Sequence, residues 1–312
     1  MYSSKSFELP SNLKQKFKKV KKMEWITIGY LLSVAIVMYL VTGSSQAMKS
    51  AWLEDVLSIV PSIAFLISAK IYDKKANKRF PYGYHRVFGI AYLTGGVALF
   101  SMGIFLIVDS FITLVFMEHP TIGSTVVFGH HIWLGWVMIA ALLYSAIPAV
   151  ILGRKKLPLA NELHNKILFT DADTQKADYM TAVAAMIGVL GVGYGLWWLD
   201  AVMAILISIS VISDGYKNLK NAIEDLMDRR PQKVNSKGED PLLEELTKLI
   251  ERWDWIEDFE ARFREHGQVY FCEIKVVSHV SDISHYIKKS TDQLEAYHWK
   301  VHEVFIMPVQ KL

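Results

Sequence analysis

The sequence predicts an α-helical membrane protein with six transmembrane helices, followed by a smaller α+β domain on the cytoplasmic side. Three observations predict it. Six apolar stretches lie near residues 24–43, 51–71, 87–117, 131–152, 168–197 and 199–216, each close to or above the ~20 residues that a helix needs to cross a hydrocarbon core. Lysine and arginine fall in alternate connections between them, the bias that orients membrane proteins. Beyond Leu226 charge returns and the apolar runs shorten. The chain of 312 residues is 52% hydrophobic with a mean hydropathy of +0.23, high for a water-soluble protein.

This divides the chain into a basic N-terminal segment (1–23), a transmembrane domain (24–226), a linker (227–240) and a C-terminal domain (241–312). The N-terminal "LKQKFKKVKKMEW" is basic like the start of a signal peptide. The apolar run behind it exceeds a signal core of roughly 7–15 residues, and more membrane follows at once, so the first helix is expected to be retained. Lys14, Lys16, Lys18, Lys19, Lys21 and Lys22 precede the first span, Lys70 to Arg86 carry the second connection, and Arg154, Lys155, Lys156 and Lys166 the fourth. The opposite side has Lys49 and little else. Both termini are therefore expected in the cytoplasm, in a multi-pass protein of the cell inner membrane.

In the tail, "PLLEELTKLIERW" repeats apolar residues at helical spacing, "IEDFEARFREHG" and "QVYFCEIKVVSH" alternate as paired strands around Gly267, "DISHYIKKSTDQLEAYHW" returns to helix and "VHEVFIMPV" closes as a strand. This α-β-β-α-β order predicts a two-layer, ferredoxin-like α+β domain. Its histidines (His266, His279, His285, His298, His302) lack metal-binding spacing apart from the pair His298 and His302, and read as surface or packing groups. Cys272 is the single cysteine, so no intrachain disulfide forms. No nucleic-acid partner and no enzymatic chemistry are expected, and the tail reads as a dimerisation or regulatory module.

Carboxylates inside apolar spans carry the functional signal, because each costs ~2.5–3.5 kcal/mol at the bilayer centre and such groups usually face an interior or a wet cavity. In the second span Glu54 and Ser58 are four apart and share a helix face, while Asp55 points about 100° away. In the fifth, Asp171, Thr174 and Asp178 follow at three and four residues and form one stripe. Two oxygen-rich stripes, one per helix, can meet as a cage. A plainer reading puts Glu54 near the membrane surface, and Asp171 and Asp173 at a helix end where an acid favours the N-terminus. Asp200, after two tryptophans, reads as a cap of the sixth helix, and the glycines of "GGVALFSMG" and "GVLGVGYG" as close packing.

The six spans with both ends inside, "LEDVLSI" in the second, "RFPYGYHR" entering the third, "ADYMTAVAAMIGV" in the fifth, "LDAVMAI" opening the sixth, "LMDRRP" and the tail together resemble the cation diffusion facilitator family from about Met23 to the C-terminus. The resemblance implies a secondary transporter that exports a divalent metal, and a homodimer. It implies one cation bound between the second and fifth helices by Glu54, Ser58, Thr174 and Asp178, with Asp55 and Asp171 as secondary ligands. Relatives that carry zinc place a histidine or aspartate beside an aspartate on each helix, whereas here Ser58 and Thr174 are neutral. The resemblance also implies a structural charge pair between Arg86 and Asp228. The metal sites that some members build in the second connection and in the tail have no clear counterpart, His85 being the one histidine of "NKRFPYGYHR".

An all-oxygen cage is hard in character and suits manganese, magnesium or calcium over sulfur-seeking metals, with iron, cobalt and zinc still admissible. The cycle implied is alternating access, with protons returning on the vacated carboxylates and no resident cofactor. A cation channel is the nearest rival, distinguished by flux indifferent to a proton gradient. A membrane-anchored sensor has no use for acids in its spans, and an intramembrane metalloprotease lacks its His-Glu-x-x-His pair.

Overall fold

The computed structural model describes residues 9–117, 119–127, 129–280 and 282–312. Its first helix, α1 (Ser11–Val41), starts thirteen residues before the expected span, because the lysine-rich segment is itself a good helix former and places Leu13, Phe17 and Val20 on one buried face. The second span is two helices, α2 (Gln46–Leu57) and α3 (Ile59–Tyr72), broken at Ser58. Pro61 explains the break: it has no N–H to give the Leu57 carbonyl and its ring crowds the preceding turn.

Helices α4 (Val87–Val115), α5 (Leu134–Glu162), α6 (Lys166–Gly193) and α7 (Trp197–Leu226) follow. Among the described residues, five segments are long and apolar enough to cross a membrane: α1, α2 with α3, α4, α5 and α7. The 28-residue α6 is as long as these but carries Lys166, Asp171, Asp173, Lys176 and Asp178 in its first half. Many large apolar side chains face outwards, among them Leu40, Ile90, Phe111, Trp136 and Ile147, as expected of helices apolar on their outer faces as well as inside. Between α4 and α5, where the sequence predicts a connection and the first residues of the fourth span, lies a hairpin of β1 (Ser124–Val127) and β2 (His130–Trp133).

Small residues set the closest helix contact. A Cβ on Gly96 of α4 would lie 2.7 Å from the Leu219 backbone nitrogen of α7, so glycine is what lets the two backbones approach. Beside a small core of Ile28, Leu31 and Ile59, two large apolar cores fill most of the bundle among the described residues. One, built around Met38, Met48, Met138 and Leu142, lies in the half away from the tail. The other, built around Phe17, Phe65, Phe88 and Leu163, lies on the tail side, where Trp299 packs against it.

The tail comprises α8 (Leu242–Ile250), β3 (Ile256–His266), β4 (Val269–Ser278), α9 (Ser284–Tyr297) and β5 (Val301–Pro308). β4 is central, antiparallel to β3 and parallel to β5, over a core of Leu246, Trp255, Tyr270 and Leu294. The tail packs on the bundle through polar contacts. Lys166 Nζ reaches Asp225 (2.7 Å) and Glu265 (2.9 Å), and Gln268 Nε2 donates to the Leu163 carbonyl at 2.6 Å. Gly267, at φ +71°, turns the β3–β4 hairpin against His85, whose carbonyl oxygen a Cβ there would strike.

Candidate functional site

Against the first of the two large cores, Glu54, Asp55, Ser145, Asp178 and Thr181 line a small cavity, closed by that core's own Ala51, Leu142 and Ala182. It has room for about one water-sized particle. Three helices build it. α2 supplies the two acids just before its break, α6 supplies Asp178 and Thr181 one turn apart, and α5 brings Ser145 between them.

Asp55 is the ordered member. Ser145 Oγ lies 2.8 Å from each Asp55 carboxylate oxygen, and the Tyr30 hydroxyl donates to the Ser145 carbonyl. The other two acids are under-satisfied: Glu54 Oε2 and Asp178 Oδ2 are buried oxygens that accept no hydrogen bond. Buried acceptors without donors are rare and call for an explanation. Two carboxylates facing one cavity supply negative charge, and a cation there would satisfy both oxygens. Among the described residues, no group of three or more His, Cys, Asp or Glu side chains converges closely enough to hold a metal as the side chains stand.

The structure thus brings Glu54, Asp55 and Asp178 to one cavity and leaves the other expected residues beside it. Ser58, at the break, donates its hydroxyl back to the Glu54 carbonyl at 3.0 Å and does not line the cavity. Thr174 does not line it either, and Thr181, one turn further along α6, does. Asp171 lies in a separate buried cluster, bound by Lys156 Nζ at 2.6 Å. Spacing alone did not single out Ser145 or Thr181. The signal available was a polar residue inside an apolar run, "LLYSAIP", and a hydroxyl three residues after Asp178.

Outside the cavity, Arg86 Nη2 donates to Asp228 Oδ1 at 2.5 Å and Arg86 Nη1 to the Leu226 carbonyl at 3.1 Å, joining the start of α4 to the segment after α7. Asp200 caps a different helix from the one its position in sequence suggests. It accepts from Ser45 Oγ (2.7 Å) and the Gln46 backbone N–H (2.6 Å), at the start of α2, where a carboxylate satisfies orphan donors and the helix dipole together.

Residues 25–227, which span nearly all of α1 to α7, match the cation efflux transmembrane domain. The chain belongs to the cation efflux family. It is similar to an uncharacterized transporter of Methanocaldococcus jannaschii, 21% identical over 264 residues that cover 81% of this chain and 85% of the relative. The manganese efflux system protein MneS of Bacillus subtilis is 24% identical over 69% of this chain and 71% of its own. A cadmium, cobalt and zinc/H(+)-K(+) antiporter of Bacillus subtilis is 26% identical over 70% and 66%. As a cation efflux protein the chain is a multi-pass membrane transporter of metal cations, not an enzyme.

Proposed function

We propose that this cation efflux protein exports a divalent metal by alternating access in exchange for protons, one ion at a time, and that Glu54 and Asp178 bind the ion between the α2–α3 span and α6. The observation that carries this reading is the pair of buried, donorless carboxylate oxygens, Glu54 Oε2 and Asp178 Oδ2, at one cavity. Asp55 and Thr181 stand beside them. Ser58 and Thr174, on the same helices, join the cage when the helices close around the ion; the break at Ser58 gives the α2–α3 span a place to bend.

The carboxylates also account for the coupling. Two like charges facing one small cavity repel, so without metal a proton relieves them, and an arriving divalent cation expels it. All candidate donors are oxygens, which favours hard ions such as manganese over those that seek thiolate or imidazole. In this reading α6 is the sixth span, both termini and the tail lie in the cytoplasm of a cell inner-membrane protein, and the chain works as a homodimer joined through its tail and membrane regions, two-fold dimers being the commonest assembly.

The test is metal-stimulated proton flux into proteoliposomes across manganese, iron, cobalt, zinc and cadmium. Antiport requires proton movement with at least one of these, and metal flux indifferent to an imposed pH gradient indicates a channel instead. Crosslinking in native membranes checks the assembly: dimers are expected, and removal of the chain after Val234 is expected to weaken them without preventing insertion.

A further inference from the structure

At the start of the expected first span, within α1, a second charged cluster is buried on the tail side of the cavity. Lys156 of α5 places its ammonium 3.0 Å from Glu24 Oε2 of α1 and 2.6 Å from Asp171 Oδ2 of α6. The Lys156 and Glu24 side chains are fully buried and that of Asp171 is 3% exposed. Ser62 of α3 and Gln175 of α6 donate to Asp171 Oδ1 at 3.3 and 3.1 Å. The formal charge of two carboxylates and one ammonium is −1. Glu24 Oε1, fully buried, accepts no hydrogen bond. One ammonium shared by two buried carboxylates leaves a net negative charge that is expensive to bury, so the cluster is incomplete by one positive charge, and Glu24 Oε1 is the oxygen without a partner.

We infer that Glu24, Lys156 and Asp171 form a proton-holding site separate from the metal cavity, with the proton on Glu24 Oε1. Charge and space select a proton over an alkali ion. An alkali ion needs several oxygens and would sit beside the Lys156 ammonium, whereas a proton needs only the one free oxygen. Among the described residues the charged groups that face Glu24 are Lys156 from α5 and Asp171 from α6; Ser62 from α3 is neutral. Asp171 and Asp178 are seven residues apart on one face of α6, about 10 Å along its axis. A divalent cation arriving at Asp178 repels positive charge in the cluster through low-dielectric protein. The Glu24 O–H bond then breaks, its electron pair stays on the carboxylate, and the proton passes to water on the tail side.

This inference rests on the transport reading for the release step, though not for the holding of the proton, and the two are measured separately. Infrared spectra of the full-length protein at pH 7, without metal, are compared among wild type, Glu24→Gln and Asp171→Asn. Wild type is expected to show a protonated-carboxyl component, beyond any from the cavity acids, that both variants lose in the difference spectrum: Glu24→Gln removes the acid, and Asp171→Asn leaves Lys156 to neutralise Glu24. Either variant alone decides should the other fail to fold. Manganese titrations in buffers of different ionisation enthalpy then count protons released per ion bound, and Glu24→Gln is expected to release about one fewer than wild type. An absorption unchanged in the variants overturns the inference, as does displacement of the wild-type band by sodium or potassium. An unchanged proton count in Glu24→Gln also overturns it. Failure of wild type to bind any metal of the panel counts against the transport reading, and the infrared comparison still decides the proton site.

Discussion

At the scale of single residues, the acids of the second span separate by their partners. Asp55 is held by the Ser145 hydroxyl, while Glu54 keeps a free buried oxygen. Glu54→Gln is therefore expected to lower metal transport nearly to background and Asp55→Asn to lower it less, as read by tracer uptake at matched protein levels; the reverse order would move the ligand role to Asp55. Histidines at the junction with the tail give a second prediction. Burial, together with the Arg86 and Arg264 guanidinium groups, holds His266 down at about 4, and its Nε2 lies 2.8 Å from Arg86 Nη2, which a neutral ring accepts and a protonated one cannot. The unfolded ring, at its ordinary value near 6.5, binds the proton first, so stability is full above pH 6.5 and falls as the pH drops through 6.5 towards 4. A loss on the order of 1–2 kcal/mol is expected over that window, visible as earlier melting of wild type than of His266→Gln relative to their difference at pH 7.5. Equal pH dependence of the two would show that His266 does not contribute.

At the scale of elements, most helices and strands were legible because their apolar periods are long and uninterrupted. The tail's α8–β3–β4–α9–β5 order follows the alternation and turn signals closely. Features set by tertiary contact were not legible. By its sequence the second span reads as one continuous helix, but it parts at Ser58 ahead of Pro61, and this break turns the Ser58 hydroxyl back onto the Glu54 carbonyl. Asp171 shares a stripe with Asp178, yet its partner is Lys156, fifteen residues away on another helix, a pairing no helical spacing reveals. Ser145 comes to Asp55 from 90 residues away. Gly267 was legible as a turn but not as a contact. Its positive φ and its approach to His85 predict that Gly267→Ala costs about 1–3 kcal/mol and loosens the tail, giving faster proteolysis within the linker 227–240. Unchanged proteolysis would mean that the hairpin does not fix the tail to the bundle.

At the scale of the whole molecule, the proposed export depends on orientation, which the alternation of lysine and arginine between the two sides predicts. Single cysteines in "STVVFGHH" are expected to react with an impermeant reagent added outside, and ones in "KKLPLANE" to react only after permeabilisation; the opposite pattern would invert the molecule and turn export into import. The central claim is that a divalent ion is carried on Glu54 and Asp178 across a cavity with almost no spare room. The most direct measurement is manganese tracer flux in proteoliposomes that hold equal amounts of wild type and Asp178→Asn, a substitution that keeps the size of the side chain and removes its charge. Flux in the variant is expected to fall at least a hundredfold, to the level of empty liposomes, with assembly and incorporation unchanged. Wild-type flux in Asp178→Asn would contradict the account.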